Sequence, residues 1–201
     1  MPQNLIGVLA LQGDFELHRK ALDDLGRPAL DVRTPAQLAR VKGLIIPGGE
    51  STTVGKLLVS SGLAGAIVKR VHKGNLSVFG TCMGVIVMSK RVENRHKDQF
   101  SLNLLDITVA RNAYGRQVDS FEVDIPIRGV FCNGSGRDAF HAVFIRAPRI
   151  LETGPGVEVL AEFEKQPVFI RQGRILGATF HPEVITDTRI HEYFCQLTDK
   201  P

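Results

Sequence analysis

Short apolar runs that stop abruptly at glycine turns constrain this fold more than any other feature. Leu5-Ile6-Gly7-Val8-Leu9-Ala10-Leu11 ends at Gln12-Gly13, and Gly43-Leu44-Ile45-Ile46 ends at Pro47-Gly48-Gly49. Leu76–Phe79 runs into Gly80-Thr81-Cys82-Met83-Gly84. Continuous rather than alternating apolarity marks strands buried on both faces, which occur in parallel sheets covered by helices. Helical spacing fills the intervals. Leu17, Ala21, Leu22 and Leu25 share one side of a helix over His18–Leu25 that stops at Gly26, and further helices fit Pro35–Val41, Val54–Ser60, Leu63–Lys73 and Val85–Lys90. A short strand fits Ala29–Val32.

The second half changes character. Asp106–Ala110, Ser120–Ile125, Ala142–Ile145, Val157–Phe163, Pro167–Arg171 and Arg174–Thr179 read as strands separated by turn residues, and helical pattern returns at Thr188–Leu197. The expected fold is therefore α/β, an open, mostly parallel sheet flanked by helices, with a β-rich extension that returns to the main sheet. No repeat or linker divides the 201 residues, so one domain, 1–201, is expected.

Composition narrows the function classes. With 43% hydrophobic and 23% charged residues the chain is neither disordered nor membrane-spanning in type, and no apolar run approaches bilayer length. The N-terminal apolar run lacks a basic lead-in and a small-residue cleavage site, so it reads as the first strand rather than a signal peptide. Three cysteines, Cys82, Cys132 and Cys195, form an odd and widely spaced set with no CxxC pair. A disulfide framework and a structural zinc site are both unexpected, and a reducing cytoplasm fits best. The net charge is +4 with a sequence pI near 9.1, but the basic residues are scattered and not interleaved with aromatics. Neither a nucleic-acid nor a membrane partner is expected, and no metal or cofactor.

Gly80-Thr81-Cys82-Met83-Gly84 has the form of a nucleophile elbow, with Cys in place of Ser. Glycines two positions either side of the nucleophile permit a sharp turn from strand to helix. Such a turn presents Cys82 at the carboxyl edge of the sheet, where open α/β folds place ligands. The N-terminal end of the following helix favours a thiolate and offers free N–H groups to an oxyanion. The competing reading, a small buried hydrophobe, is the one expected for Cys132 and Cys195.

A thiol that attacks an amide needs a base, and the leaving amine needs an acid. His18, His72, His96 and His191 stand in polar or helical contexts typical of the surface, and His141 is ambiguous. His181 ends the apolar run Ile175–Phe180 and precedes Pro182-Glu183, which keeps it out of helical geometry. Residues two apart in extended chain share a side, so Glu183 can reach the imidazole and fix its tautomer. The bland alternative is a strand end with a surface carboxylate.

Pro47-Gly48-Gly49-Glu50-Ser51-Thr52 joins a strand to a helix. It fails as a phosphate loop, because Leu57 stands where Ser or Thr is required and Glu50 where a glycine is. The N–H groups of Gly49 and Met83 suit an oxyanion hole instead. Arg111 and Arg146 are candidates for gripping a substrate carboxylate, against the alternative of solvated surface charge.

These motifs resemble the class I, or triad, glutamine amidotransferases, whose fold is flavodoxin-like. More narrowly, the chain is similar to the glutaminase subunits of bacterial-type pyridoxal phosphate synthases. The resemblance spans nearly the whole chain: Leu11-Gln12-Gly13, the 47–52 loop, the elbow and Phe180-His181-Pro182-Glu183 occur in order. The narrower likeness rests on the segments Arg111–Glu122 and Phe144–Pro148. It implies hydrolysis of L-glutamine to L-glutamate and ammonia, with ammonia passed to a (βα)8-barrel pyridoxal 5'-phosphate synthase subunit in a large hetero-oligomeric ring. By position it implies a triad of Cys82, His181 and Glu183, with glutamine contacts from Gly49, Glu50, Ser51, Arg111, Ile145 and Arg146. Two departures stand out. Met83 replaces a usual small Ala, and Val130–His141 is longer and richer in glycine than the family pattern, as a surface insertion would be. The alternatives are a glutaminase serving another synthase and a catalytically silent docking subunit, which Met83 would permit.

Overall fold

In the computed structural model of the chain, residues 4–93, 100–111, 120–130 and 139–200 are described. Their main sheet has seven strands. In chain order these are β1 (Ile6–Leu9), β2 (Ala29–Val32), β3 (Gly43–Ile46), β4 (Ser77–Thr81), β10 (Glu158–Phe163), β11 (Gln166–Gln172) and β12 (Ile175–Ala178), arranged β10-β11-β12-β4-β3-β1-β2. The pairs from β2 through β12 are parallel, and β11 and β10 add an antiparallel edge.

The apolar runs behave as expected of buried strands: every residue of β1, β3, β4 and β12 is buried. Their side chains alternate between two cores. Leu44, Ile46, Val78 and Ile175 enter one core, shared with Leu58, Leu63 and Ile67. Ile45, Phe79, Leu176 and Ala178 enter the other, with Leu22, Ile190 and Phe194. Helices α3 (Ser51–Ser60) and α4 (Leu63–His72) therefore cover the first face. Helices α1 (Phe15–Asp24) and α6 (Arg189–Asp199) cover the second, and the expected helix over 35–41 is the short α2 (Pro35–Leu38).

The β-rich extension contains the antiparallel hairpin of β7 (Ser120–Pro126) and β8 (Ala139–Ile145), and a second sheet built on β6 (Leu105–Ala110). Two strands of that sheet were not expected. After α5 (Met83–Met88) the chain turns into β5 (Ser89–Glu93), and β9 (Arg149–Thr153) completes the sheet in the order β5-β6-β9. The helix expected to reach Lys90 stops at Met88, because Ser89 adopts extended geometry and begins pairing with Leu105. Both strands expose most of their residues, so neither carries a burial pattern. The Gly-rich insertion expected within Val130–His141 lies mainly at 131–138, outside the described residues, as do Cys132, His96 and 112–119.

The carboxyl ends of β3, β4 and β12 lie side by side, with Ile46 opposite Gly80 and Thr81 opposite Ala178. The glycine loop, the elbow and the His181 segment leave from these ends. A Cβ on Gly84 would run into the Ile46 carbonyl oxygen, and one on Gly80 would lie 2.8 Å from the Gly84 carbonyl carbon. The crossing of α5 over β3 and β4 is thus closed to any side chain at these two positions. Gly84→Ala is expected to lower unfolding stability by about 2 kcal/mol or more, measured by urea denaturation.

Candidate active site

Cys82 directly follows β4 in a strained conformation, φ 47° and ψ −107°, outside the regions favoured by L-residues. Its N–H donates to the Ala178 carbonyl at 2.8 Å, so the turn is anchored to the neighbouring strand at the residue where the strain sits. Met83 opens α5, where first-turn amides lack an intrahelical acceptor and remain available to an oxyanion. Met83 is 2% exposed and counts among the core residues beside the sheet, so its bulk is mostly absorbed by packing.

His181 follows β12, and its N–H donates to the Val143 carbonyl of β8 at 2.8 Å. Its Nδ1 lies 2.8 Å from Glu183 Oε1, with His181 5% and Glu183 4% exposed. The pairing expected of these residues is present, but by a different path. Pro182–Val184 form a 3-10 turn, not extended chain, and the turn brings Glu183 back under the imidazole. Among the described residues Nε2 of His181 has no hydrogen-bond partner, and Cys82 is the group on its open side whose charge acts on it. Burial opposes the imidazolium, yet hydrogen bonding and charge from Cys82 and Glu183 outweigh it and raise the His181 pKa to about 10. Burial likewise opposes the Glu183 carboxylate, and His18 and His181 more than reverse this, lowering its pKa. The thiol donates to the Ile145 carbonyl at 3.7 Å. Resting bonds of this length commonly tighten only once substrate is bound.

A cavity of about 440 Å³ opens over the sulfur, within the range of small-molecule sites. Gly49, Glu50, Ser51, Cys82, Met83, Arg111, Ile145, Arg146 and His181 all line it, as the sequence led us to expect, and Glu183 stands behind His181. Gly48 packs so tightly on the imidazole that a Cβ would sit 2.6 Å from His181 Cε1. Glu50 acts first as a helix cap: its carboxylate accepts from Thr52 N at 2.9 Å and Thr53 N at 2.7 Å, and Arg111 approaches to 3.6 Å. Burial works against its charge, but these amides prevail and hold its pKa at about 2. Arg146, exposed at the cavity rim, holds φ 45°.

Sequence reasoning assigned no role to several neighbours. Gln12 Oε1 accepts from Glu50 N at 2.9 Å, and Asp14 and Ile86 join the cavity wall. The larger correction concerns His18 and His191, expected at the surface but both 0% exposed. His18 Nδ1 lies 2.9 Å from His191 Nε2, while His18 Nε2 faces Thr81 Oγ1 at 3.2 Å and Glu183 Oε2 at 3.5 Å. Their helical neighbours carried a signal: Ala21 and Leu22 lie three and four residues after His18, and Phe194 and Cys195 hold those places after His191. His72 is exposed as expected, and His141 is exposed between Glu122 and Asp124. Cys195 is the buried hydrophobe expected, its pKa pushed up to about 11 chiefly by burial.

A model of the SNO glutamine amidotransferase family matches residues 8–200. The chain is 50% identical over 192 residues to the "Pyridoxal 5'-phosphate synthase subunit PdxT" of Thermotoga maritima, covering 96% of this chain and 98% of that protein. It is 47% identical over 195 residues to the protein of the same name from Thermus thermophilus, covering 97% and 98%. A solved structure described as a glutamine amidotransferase superposes with a TM-score of 0.90 at 47% identity, covering 96% of this chain and 98% of that one. PurLQS from Thermotoga maritima, at 16% identity and a TM-score of 0.71 over 97% and 99% of the chains, shares the fold.

The buried histidines set an expected pH dependence of stability. Burial is the main cause that lowers the pKa of both His18 and His191, the latter to about 3. Below about pH 6.5 the unfolded chain binds protons on these rings that the folded chain refuses, so stability falls with pH by about 1.4 kcal/mol per unit for each ring. Above about 6.5 the folded chain keeps a proton on His181 that the unfolded chain has lost. That contribution is fully present below 6.5 and disappears as pH rises through about 10. Urea midpoints measured across pH 4–10 should peak near pH 6.5.

Proposed function

The chain belongs to the SNO glutamine amidotransferase family, and from that premise we propose that it is the glutaminase subunit of a pyridoxal 5'-phosphate synthase. One observation carries the chemistry: the 2.8 Å His181–Glu183 bond stands at the wall of a cavity that also holds the Cys82 sulfur. Relatives near 50% identity over almost the full length of both chains support the narrower assignment.

L-glutamine enters the cavity with its amide over Cys82. Arg111 and Arg146 face its α-carboxylate, and Glu50, Ser51 and Ile145 line its path. The Cys82 sulfur, its proton taken up by His181 Nε2 before the attack, adds to the amide carbon, forming a C–S bond and sending an electron pair to the carbonyl oxygen. The Gly49 and Met83 N–H groups receive that oxyanion. When the carbonyl re-forms, the C–N bond breaks and His181 protonates the departing nitrogen as ammonia, leaving a thioester on Cys82. Water, deprotonated by His181, then cleaves the thioester to glutamate and frees the Cys82 sulfur, with the proton back on His181. Glu183 holds His181 in the tautomer with Nδ1–H and stabilises each transient imidazolium. Ammonia passes to the synthase subunit, a (βα)8 barrel in a ring-shaped hetero-oligomer, in the cytoplasm.

Ammonia release measured with and without the synthase subunit tests this reading, and activity is expected in the complex. Cys82→Ala should lower it by about 10³-fold or more while docking persists. A glutamine-like electrophile should modify Cys82 covalently. An unmodified Cys82 in the active complex would sink the assignment.

A further inference from the structure

Glu183 poses a problem that the triad alone does not solve. Its side chain is 0% exposed, and only Oε1 is engaged by His181. Among the described residues Oε2 has no hydrogen bond of good geometry, although a buried carboxylate is costly unless both its oxygens are compensated. The group that faces Oε2 is His18 Nε2, at 3.5 Å, and His18 belongs to a buried pair with His191 for which the reaction described above has no use.

The tautomers follow from satisfying this network. If His191 Nε2–H donates to His18 Nδ1, then His18 carries its proton on Nε2, aimed at Thr81 Oγ1 and Glu183 Oε2. Within the histidine pair the one unmet group among the described residues is then the bare lone pair of His191 Nδ1, and the His18 Nε2–H, bonded to Thr81 Oγ1 at 3.2 Å, turns its positive end towards Glu183 Oε2 at 3.5 Å. The opposite choice buries an unmet N–H on His191 and sets the His18 lone pair against the carboxylate. An unsatisfied buried donor and a repulsive contact are both unfavourable, so the first arrangement prevails.

We propose that His18, oriented by His191, is a positioning residue that holds the second oxygen of Glu183 and thereby sets the base strength and tautomer of His181. His18 also touches Thr81, the residue before the nucleophile, so one ring braces both halves of the site. It stands edge-on to Phe79, which fixes the ring plane from the sheet. The charged or titratable groups acting on it are Glu183 and His181 after β12, Asp14 before α1 and His191 of α6. Burial keeps His18 neutral, so it supplies an oriented N–H dipole rather than a second positive charge. A cation there would compete with the imidazolium that forms on His181.

The inference rests on the triad reading, and its test keeps the two separable. In the synthase complex, glutamine turnover against pH is compared for wild type, His18→Phe, His18→Gln and His191→Phe. The glutamine amide Nε places a donor where the histidine Nε2–H was, whereas phenylalanine keeps only the packing. His18→Phe should lower kcat about tenfold with little change in KM, and move the alkaline limb of the profile about one unit to lower pH. His18→Gln should restore most of both. His191→Phe should move the limb the same way by less. Should His18→Phe fail to fold, the Gln and His191 variants carry the comparison, and a limb unmoved in both overturns the proposal. Equal losses in His18→Phe and His18→Gln with an unmoved limb would also overturn it, since packing alone would then explain them. The pH dependence of Cys82 alkylation in the same complexes reports the His181–Glu183 pair without glutamine. A failure of the glutaminase reading would appear as absent wild-type turnover while the alkylation profiles still judge His18.

Discussion

The hydrogen bond from Cys82 N–H to the Ala178 carbonyl joins residues far apart in the chain, and the functional geometry hangs on it. It extends the parallel β4–β12 ladder by one step past Thr81 and Ala178. That step pins Cys82 beside the strand whose continuation carries His181. The register on the other side, with Ile46 opposite Gly80, sets the glycine loop against the same point. A slip of the β4–β12 ladder by one residue would put the Cys82 and His181 side chains on opposite faces of the sheet. Because every residue of β3, β4 and β12 is buried, such a slip would also empty and overfill the two cores at once.

Around this ladder the protein buries an unusual concentration of polar groups. Glu183, His181, His18, His191 and Thr81 lie within the sheet and helix layers, close to Phe79 and Phe194. In such surroundings hydrogen bonds are strong and unmet groups are expensive. The hairpin takes part as well: β8 accepts from His181 N–H through Val143 and offers the Ile145 carbonyl to the thiol. The β-rich half is thus part of the site's wall rather than decoration on a complete α/β domain.

Much of this was legible because burial writes itself into short strands. Ala29–Val32 and Gly43–Ile46 are read from the sequence at their observed bounds, and the elbow at 80–84 appears with both glycines in steric roles. The edge strands β5 and β9 escaped notice, since strands that expose most residues show neither alternation nor an apolar run. The pairing of Glu183 with His181 is legible in their spacing, but the 3-10 turn that achieves it depends on packing that local pattern does not reveal. The polar neighbours of His18 and His191 point to surface positions, whereas the structure buries both. Their burial follows from the face each shares with apolar residues one turn on, and their meeting across α1 and α6 is a tertiary fact.

The strand order also governs when the site can exist. β12 is inserted between β11 and β4, late in the sequence but central in the sheet. A ribosome-bound chain that has emerged only through the elbow therefore has a bare β4 edge and a cysteine with no base. Its thiol meets the imidazole only after the last strand closes the gap, so assembly of the sheet and assembly of the proposed site are one event. A chain interrupted before that insertion lacks the meeting of Cys82 with His181 as well as the closed sheet.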